Sequence, residues 1–188
     1  MRVLAISGSL RAASNSTALL RALREEAPVG VEVIVWDGLK GVPPYDADDD
    51  VVPAPEPVAA LRELVREVDA VFFATPEYNS SVPGALKNAL DWASRPLATN
   101  VFRNKPVAVI SSSAGAFGGV WAGAELRKVL AAMGSRVTEA ELSVGHAHEK
   151  FGDDGRLADD DVRQGLRDAL DTLLAEVAPV AVSDTVGV

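Results

Sequence analysis

Side chains able to do chemistry gather at three places in this sequence, each directly behind an apolar run. The first, Gly8-Ser9-Leu10-Arg11-Ala12-Ala13-Ser14-Asn15, opens a stretch with neutral donors from Ser9, Ser14, Asn15, Ser16 and Thr17 and a charged fork from Arg11. No carboxylate interrupts it. A helix beginning at its end would aim free N–H groups and the positive end of its dipole into the loop, a setting suited to a phosphomonoester dianion. The alternative is ordinary N-capping by Ser14, Asn15 or Ser16, which explains the helix start but leaves Ser9 and Arg11 without a reason. The spacing is neither GxxxxGK[ST] nor GxGxxG, so nucleoside triphosphate and dinucleotide sites of those kinds match poorly.

The second place, Thr75-Pro76-Glu77-Tyr78-Asn79-Ser80-Ser81-Val82-Pro83-Gly84, joins an aromatic plate to a stiff backbone. Tyr78 can lie against a planar ring while backbone groups from Glu77 to Asn79 meet the ring's polar edge. A purely structural turn is the other reading, since Pro, Asn and Ser favour turns. The third, Ser111-Ser112-Ser113-Ala114-Gly115-Ala116-Phe117-Gly118-Gly119, has small residues that permit close approach to a flat ligand, or else form a flexible loop. His146 and His148 lack a third ligand at a convincing spacing, and the carboxylates from Asp153 to Asp161 do not follow a calcium loop. No metal site is expected.

The elements that must position these loops follow from periodicity. Apolar runs at Val3–Ile6, Val31–Trp36, Ala70–Ala74, Val107–Ile110 and Val137–Leu142 predict five strands. Helical spacing recurs at Ser16–Glu26, Pro57–Val68, Pro83–Ala93, Val120–Met133 and Asp159–Val177. Such alternation implies a doubly wound α/β fold, a five-stranded parallel sheet with helices on both faces; the nearly continuous apolar strands fit two-sided burial. The expected strand order is 2-1-3-4-5, whose switch point places a ligand beyond the carboxyl ends of the strands, among these three loops. Gly38 to Pro57, with its run Asp46 to Asp50, reads as a solvated surface excursion, and Pro179 to Val188 as a frayed tail.

Composition narrows the partners. The chain has 188 residues, 48% of them hydrophobic, enough for one core. No stretch approaches the roughly 18 uninterrupted apolar residues of a membrane span. The start runs straight into a strand pattern, which predicts a cytoplasmic protein. Net charge of -9 disfavours nucleic acid as a partner. Cysteine is absent, so disulfides, a thiol nucleophile and cysteine-dependent phosphatase chemistry are excluded.

"GSLRAASN", "PEYNSSVPGALKNALDW" and "KPVAVISSSAGAFGG", in this order between about Arg2 and Gly165, resemble the NADPH-dependent FMN reductase family, a flavodoxin-like group that includes quinone, chromate and azo-dye reductases. The resemblance implies a flavodoxin-like FMN-binding domain over residues 1–178. It implies that Ser9, Arg11, Ser14, Asn15 and Ser16 hold the FMN phosphate and that Pro76, Glu77, Tyr78 and Asn79 frame the isoalloxazine ring. Ser112, Ser113 and Gly115 would approach that ring from the third loop. It further implies ping-pong hydride transfer from NADPH, or NADH, through FMN to a quinone, free flavin or other small planar acceptor, with no catalytic side chain needed. Assembly as a homodimer or homotetramer is also implied, with Ala85–Ala93 and its Trp92 as a candidate interface unless Trp92 is a core residue. A flavodoxin-type electron carrier and a non-catalytic nucleotide-binding module on the same fold are the competing functions.

Overall fold

A computed structural model describes residues 1–177. The expected tail from Pro179 lies outside them. The strands are β1 (Arg2–Ser7), β2 (Glu32–Trp36), β3 (Ala70–Thr75), β4 (Pro106–Ser112) and β5 (Arg136–Val144). The helices are α1 (Asn15–Glu25), α2 (Glu56–Glu67), α3 (Gly84–Ala93), α4 (Val120–Ala132) and α5 (Asp160–Val177). All strand pairs are parallel and the order is β2-β1-β3-β4-β5, as the sequence predicts.

Strand alternation builds two cores, one on each face of the sheet. Val3 and Ala5 of β1, with Phe72 of β3 and Ile110 of β4, pack under α1 and α5. Leu4, Ile6, Phe73 and Val109 point the other way, under α2, α3 and α4. Because β3 sits between β1 and β4 it is buried along its whole length, which is why AVFFAT carries no polar residue before its last position. The register sets Ser7 beside Ala74 and Thr75 beside Ser111, so the loops leaving β1, β3 and β4 emerge side by side at one end of the sheet.

Three local findings differ from, or sharpen, the sequence reading. Ser14 caps α1, its Oγ accepting from Thr17 N at 3.2 Å. The segment 38–57 is exposed along much of its length, Asp46–Asp49 included, as expected, but it is pinned at points: it contains two short 3₁₀ turns, Leu39 is buried, and Asp50 meets Arg62 at 3.1 Å. Trp92 is fully buried within the single chain, its Nε1 donating to Pro43 O at 2.8 Å and its ring meeting the edge of Tyr45. Trp92 is therefore a core residue that clamps this segment, and the surface of α3 is left to other side chains.

Candidate functional site

The three loops enclose one hollow of about 230 Å3. Ser9, Arg11, Ser14, Asn15 and Ser16 line it from the first loop, Pro76, Glu77 and Tyr78 from the second, and Ser112 and Ser113 from the third. Asn79 and Gly115 are not brought to it, whereas Ala114 is.

Hydroxyls tie the first loop into shape. Ser7 Oγ accepts from Ser9 N at 3.3 Å and from Thr17 Oγ1 at 2.8 Å, and Ser9 Oγ accepts from Arg11 N at 3.3 Å. Ser16, buried, shares a 2.8 Å hydrogen bond with Ser112, which fastens the start of α1 to the end of β4. Among the described residues the backbone N–H groups of Asn15 and Ser16 meet no acceptor. Open donors at a helix start, a serine-rich wall and the exposed guanidinium of Arg11 give this end of the hollow a chemistry suited to a dianion.

The second loop makes a tight turn. Tyr78 and Ser81 exchange backbone hydrogen bonds, both at 3.1 Å, and the two residues between them have positive φ, 53° for Asn79 and 60° for Ser80. Two successive left-handed residues define the type I′ turn, which asparagine tolerates well. Asn79 is thus explained by the turn, and the turn holds Tyr78, 48% exposed, at the rim.

Two carboxylates brace this loop against α4. Glu77 Oε2 accepts from Ala122 N at 3.1 Å, supplying the cap that Gly119, at the N-cap position, has no side chain to give. In the reverse direction Glu125 Oε2 accepts from Ser81 Oγ at 2.6 Å and Val82 N at 3.1 Å. Those hydrogen bonds, the serine hydroxyl first, hold the Glu125 carboxyl below the usual glutamate range. Sequence reasoning missed Glu125 because a carboxylate on an exposed helix face carries no local signal of what it will meet. Ser7 escaped for a different reason: it is a buried hydroxyl closing an apolar strand, and its acceptor role toward Ser9 and Thr17 appears only once the loop folds back.

The third loop is shaped by its contacts with the end of β5 and the residues after it. Gly118 has φ 63°, and a Cβ there would lie 2.6 Å from the backbone carbon of Ser143, so glycine is required by the neighbouring strand. Gly115 turns its carbonyl to His146 N at 3.1 Å. His148 is exposed beside Glu149 at 3.5 Å. Among the described residues no group of three His, Asp or Glu side chains is placed to hold a metal ion, and no helix is long and apolar enough to cross a membrane.

The model of the NADPH-dependent FMN reductase family matches residues 1–149. The chain belongs to that family. It is 39% identical over 174 residues to an NAD(P)H-dependent FMN reductase of Pseudomonas aeruginosa, covering 92% of this chain and 93% of that protein. A quinone reductase of Pseudomonas putida is 39% identical over 158 residues, 84% of each chain. Among solved structures, FerB, a flavoenzyme NAD(P)H:(acceptor) oxidoreductase from Paracoccus denitrificans, superposes with a TM-score of 0.83 at 32% identity, covering 93% of this family member and 98% of FerB. The flavodoxin-like fold expected from the three motifs is the fold this family member has.

Proposed function

We propose that this chain is an FMN-dependent NAD(P)H oxidoreductase that reduces quinones, free flavin or other small planar acceptors. The observation that carries the reading is one hollow with a dianion receptor at one end and an aromatic rim at the other. FMN has the same two parts, a terminal phosphate and a flat ring, and when bound it accepts hydride from a nicotinamide and hands reducing equivalents to an acceptor.

The residues of this chain bind and orient. Arg11, Ser9, Ser14, Ser16 and the free N–H groups of Asn15 and Ser16 hold the phosphate. Pro76, Glu77, Tyr78 and the backbone beside Asn79 frame the ring, with Ser112 and Ser113 on its third side. Gly115 stands behind Ser113 and shapes the loop through its N–H, which Ser113 Oγ accepts at 3.0 Å. The carboxylate of Glu77 is engaged by Ala122 N, so it positions the loop and is not needed as a base.

A dimer, or a pair of dimers, goes with this reading. Phe117 and Trp121, 70% and 51% exposed with ring centroids 5.3 Å apart, give the chain an aromatic surface beside the site for a second copy to cover. A cytoplasmic setting, where reduced nicotinamide is available, is proposed with it. Purified protein is expected to carry a flavin absorption spectrum, to retain FMN over FAD in competition, and to oxidise NADPH when a quinone is present. A colourless protein would favour the non-catalytic module. A flavin-loaded protein that fails to oxidise NADPH or NADH would favour the electron carrier. Sedimentation of a flavin-loaded monomer at micromolar concentration would remove the oligomer.

A further inference from the structure

On the other side of the first loop lies a second hollow, of about 400 Å3, whose charge is opposite to that of the molecule. Arg11 comes from the loop, Arg21 and Arg24 from α1, and Lys40 from the 3₁₀ turn after β2. The spacing of three puts Arg21 and Arg24 on one helix face. Asp37 is the one carboxylate in the lining. Among the described residues none of the four cations has a carboxylate within the 4.0 Å that defines an ion pair. By contrast, Glu26 at the end of the same helix takes both Arg163 and Arg167. Arg11 is shared with the flavin hollow, but in a chain with 27 carboxylates and 18 cations the three unneutralised cations Arg21, Arg24 and Lys40 facing this one repel one another and make a local anion receptor. The helix macrodipole accounts for Arg24 in the last turn of α1, but not for Arg11, Arg21 or Lys40.

The same hollow carries an aromatic plate. Trp36, half-buried at the end of the edge strand β2, is part of its wall. A Cβ at Gly38 would lie 2.6 Å from Trp36 Nε1, so glycine lets the chain close on the indole. Cations around a half-buried aromatic ring that lines the hollow suit a phosphorylated nucleoside, with the base against the open part of the ring and the phosphate among the guanidiniums. Ser9 and Arg11 line both hollows, so the two are neighbours around one loop.

We infer that this groove receives the adenosine 2′-phosphate end of NADPH and so sets a preference for NADPH over NADH. The inference rests on the nicotinamide-dependent reading above. NADH lacks only that phosphate, so the two reductants separate the groove from the rest of the site. The test uses the FMN-loaded protein and the triple variant Arg21→Ala/Arg24→Ala/Lys40→Ala, none of whose positions belongs to the flavin hollow. KM for NADPH is expected to rise at least about tenfold, the loss of charge-assisted contacts to one phosphate, while KM for NADH stays within about twofold. Calorimetric titration with adenosine 2′,5′-bisphosphate supplies a readout free of turnover: binding to the natural protein, weakened by salt and lost in the variant, is expected. An equal rise for both reductants, no rise for either, or adenosine 5′-monophosphate binding as tightly as the bisphosphate would overturn the inference. Bisphosphate binding in a protein that turns over neither reductant would sink the reductase reading and leave the groove standing. Should the triple variant lose FMN, the single variants Arg24→Ala and Lys40→Ala, both at exposed positions, carry the same comparison.

Discussion

Glu77 is the sharpest place to separate binding from chemistry, because it is the one carboxylate lining the flavin hollow and it is already occupied. Its Oε2 takes the N–H of Ala122 at the start of α4, a helix without a side-chain cap of its own. Glu77→Gln keeps an acceptor and loses the charge, which costs the helix-dipole interaction of about 0.3–1 kcal/mol. Glu77→Ala removes the acceptor as well, at about 1.5–3 kcal/mol for a hydrogen bond to a charged group. At about 2–4 °C per kcal/mol for a chain of this size, the melting temperature should fall by about 1–4 °C in the first variant and about 3–12 °C in the second. The rate of flavin reduction should respond differently. In stopped-flow bleaching at saturating NADPH, with FMN occupancy held full, Glu77→Gln should keep the rate within about tenfold, since only loop placement has changed. A thousandfold fall with FMN fully bound, a barrier increase of about 4 kcal/mol, would refute the reasoning and give the carboxylate a chemical role.

Arg11→Ala should weaken FMN binding by about 1.5–3 kcal/mol, or about 10- to 150-fold in Kd, read by fluorescence titration; an unchanged Kd removes Arg11 from the site. Trp92→Ala should cost about 3–5 kcal/mol and lower the melting temperature by about 6–20 °C, because the cavity opens inside one chain. A variant that melts normally but loses its oligomeric state would return Trp92 to an interface. Acid should loosen the contact between α1 and α5. Hydrogen bonds from Arg163 at 2.6 Å and then Arg167 at 2.8 Å hold the Glu26 carboxyl below its ordinary value. A depressed folded-state value contributes stability that is present above the unfolded glutamate value of about 4.3 and lost as pH falls through the lower folded one. Melting curves between pH 6 and pH 3 should therefore descend more steeply for the natural protein than for Glu26→Gln, and matching slopes would show that the pair adds nothing.

The sequence alone determined the elements, their alternation and the end of the sheet where the site lies. Runs such as VLAI and AVFFA are local signals, and alternation of strand with helix leaves few ways to wind a parallel sheet, so the loops behind β1, β3 and β4 were bound to meet. Residues within those loops could be nominated because Ser9, Arg11 and Tyr78 stand in a short stretch whose chemistry reads along the chain. What the tertiary structure decided was every contact whose partners are far apart in sequence and signalled by neither. Glu77 reaches Ala122 and Glu125 reaches Ser81 only because β3 lies beside β4 in a fixed register. Asn79 belongs to a turn rather than to the hollow because its backbone, not its amide, was the constraint. Trp92 faces inward because Pro43 waits for its N–H across a segment that looks solvated when read in order. Arg11, Arg21, Arg24 and Lys40 are four ordinary surface cations until α1 packs beside β2 and turns them toward one hollow, where Coulomb repulsion depends on distance in space and not along the chain.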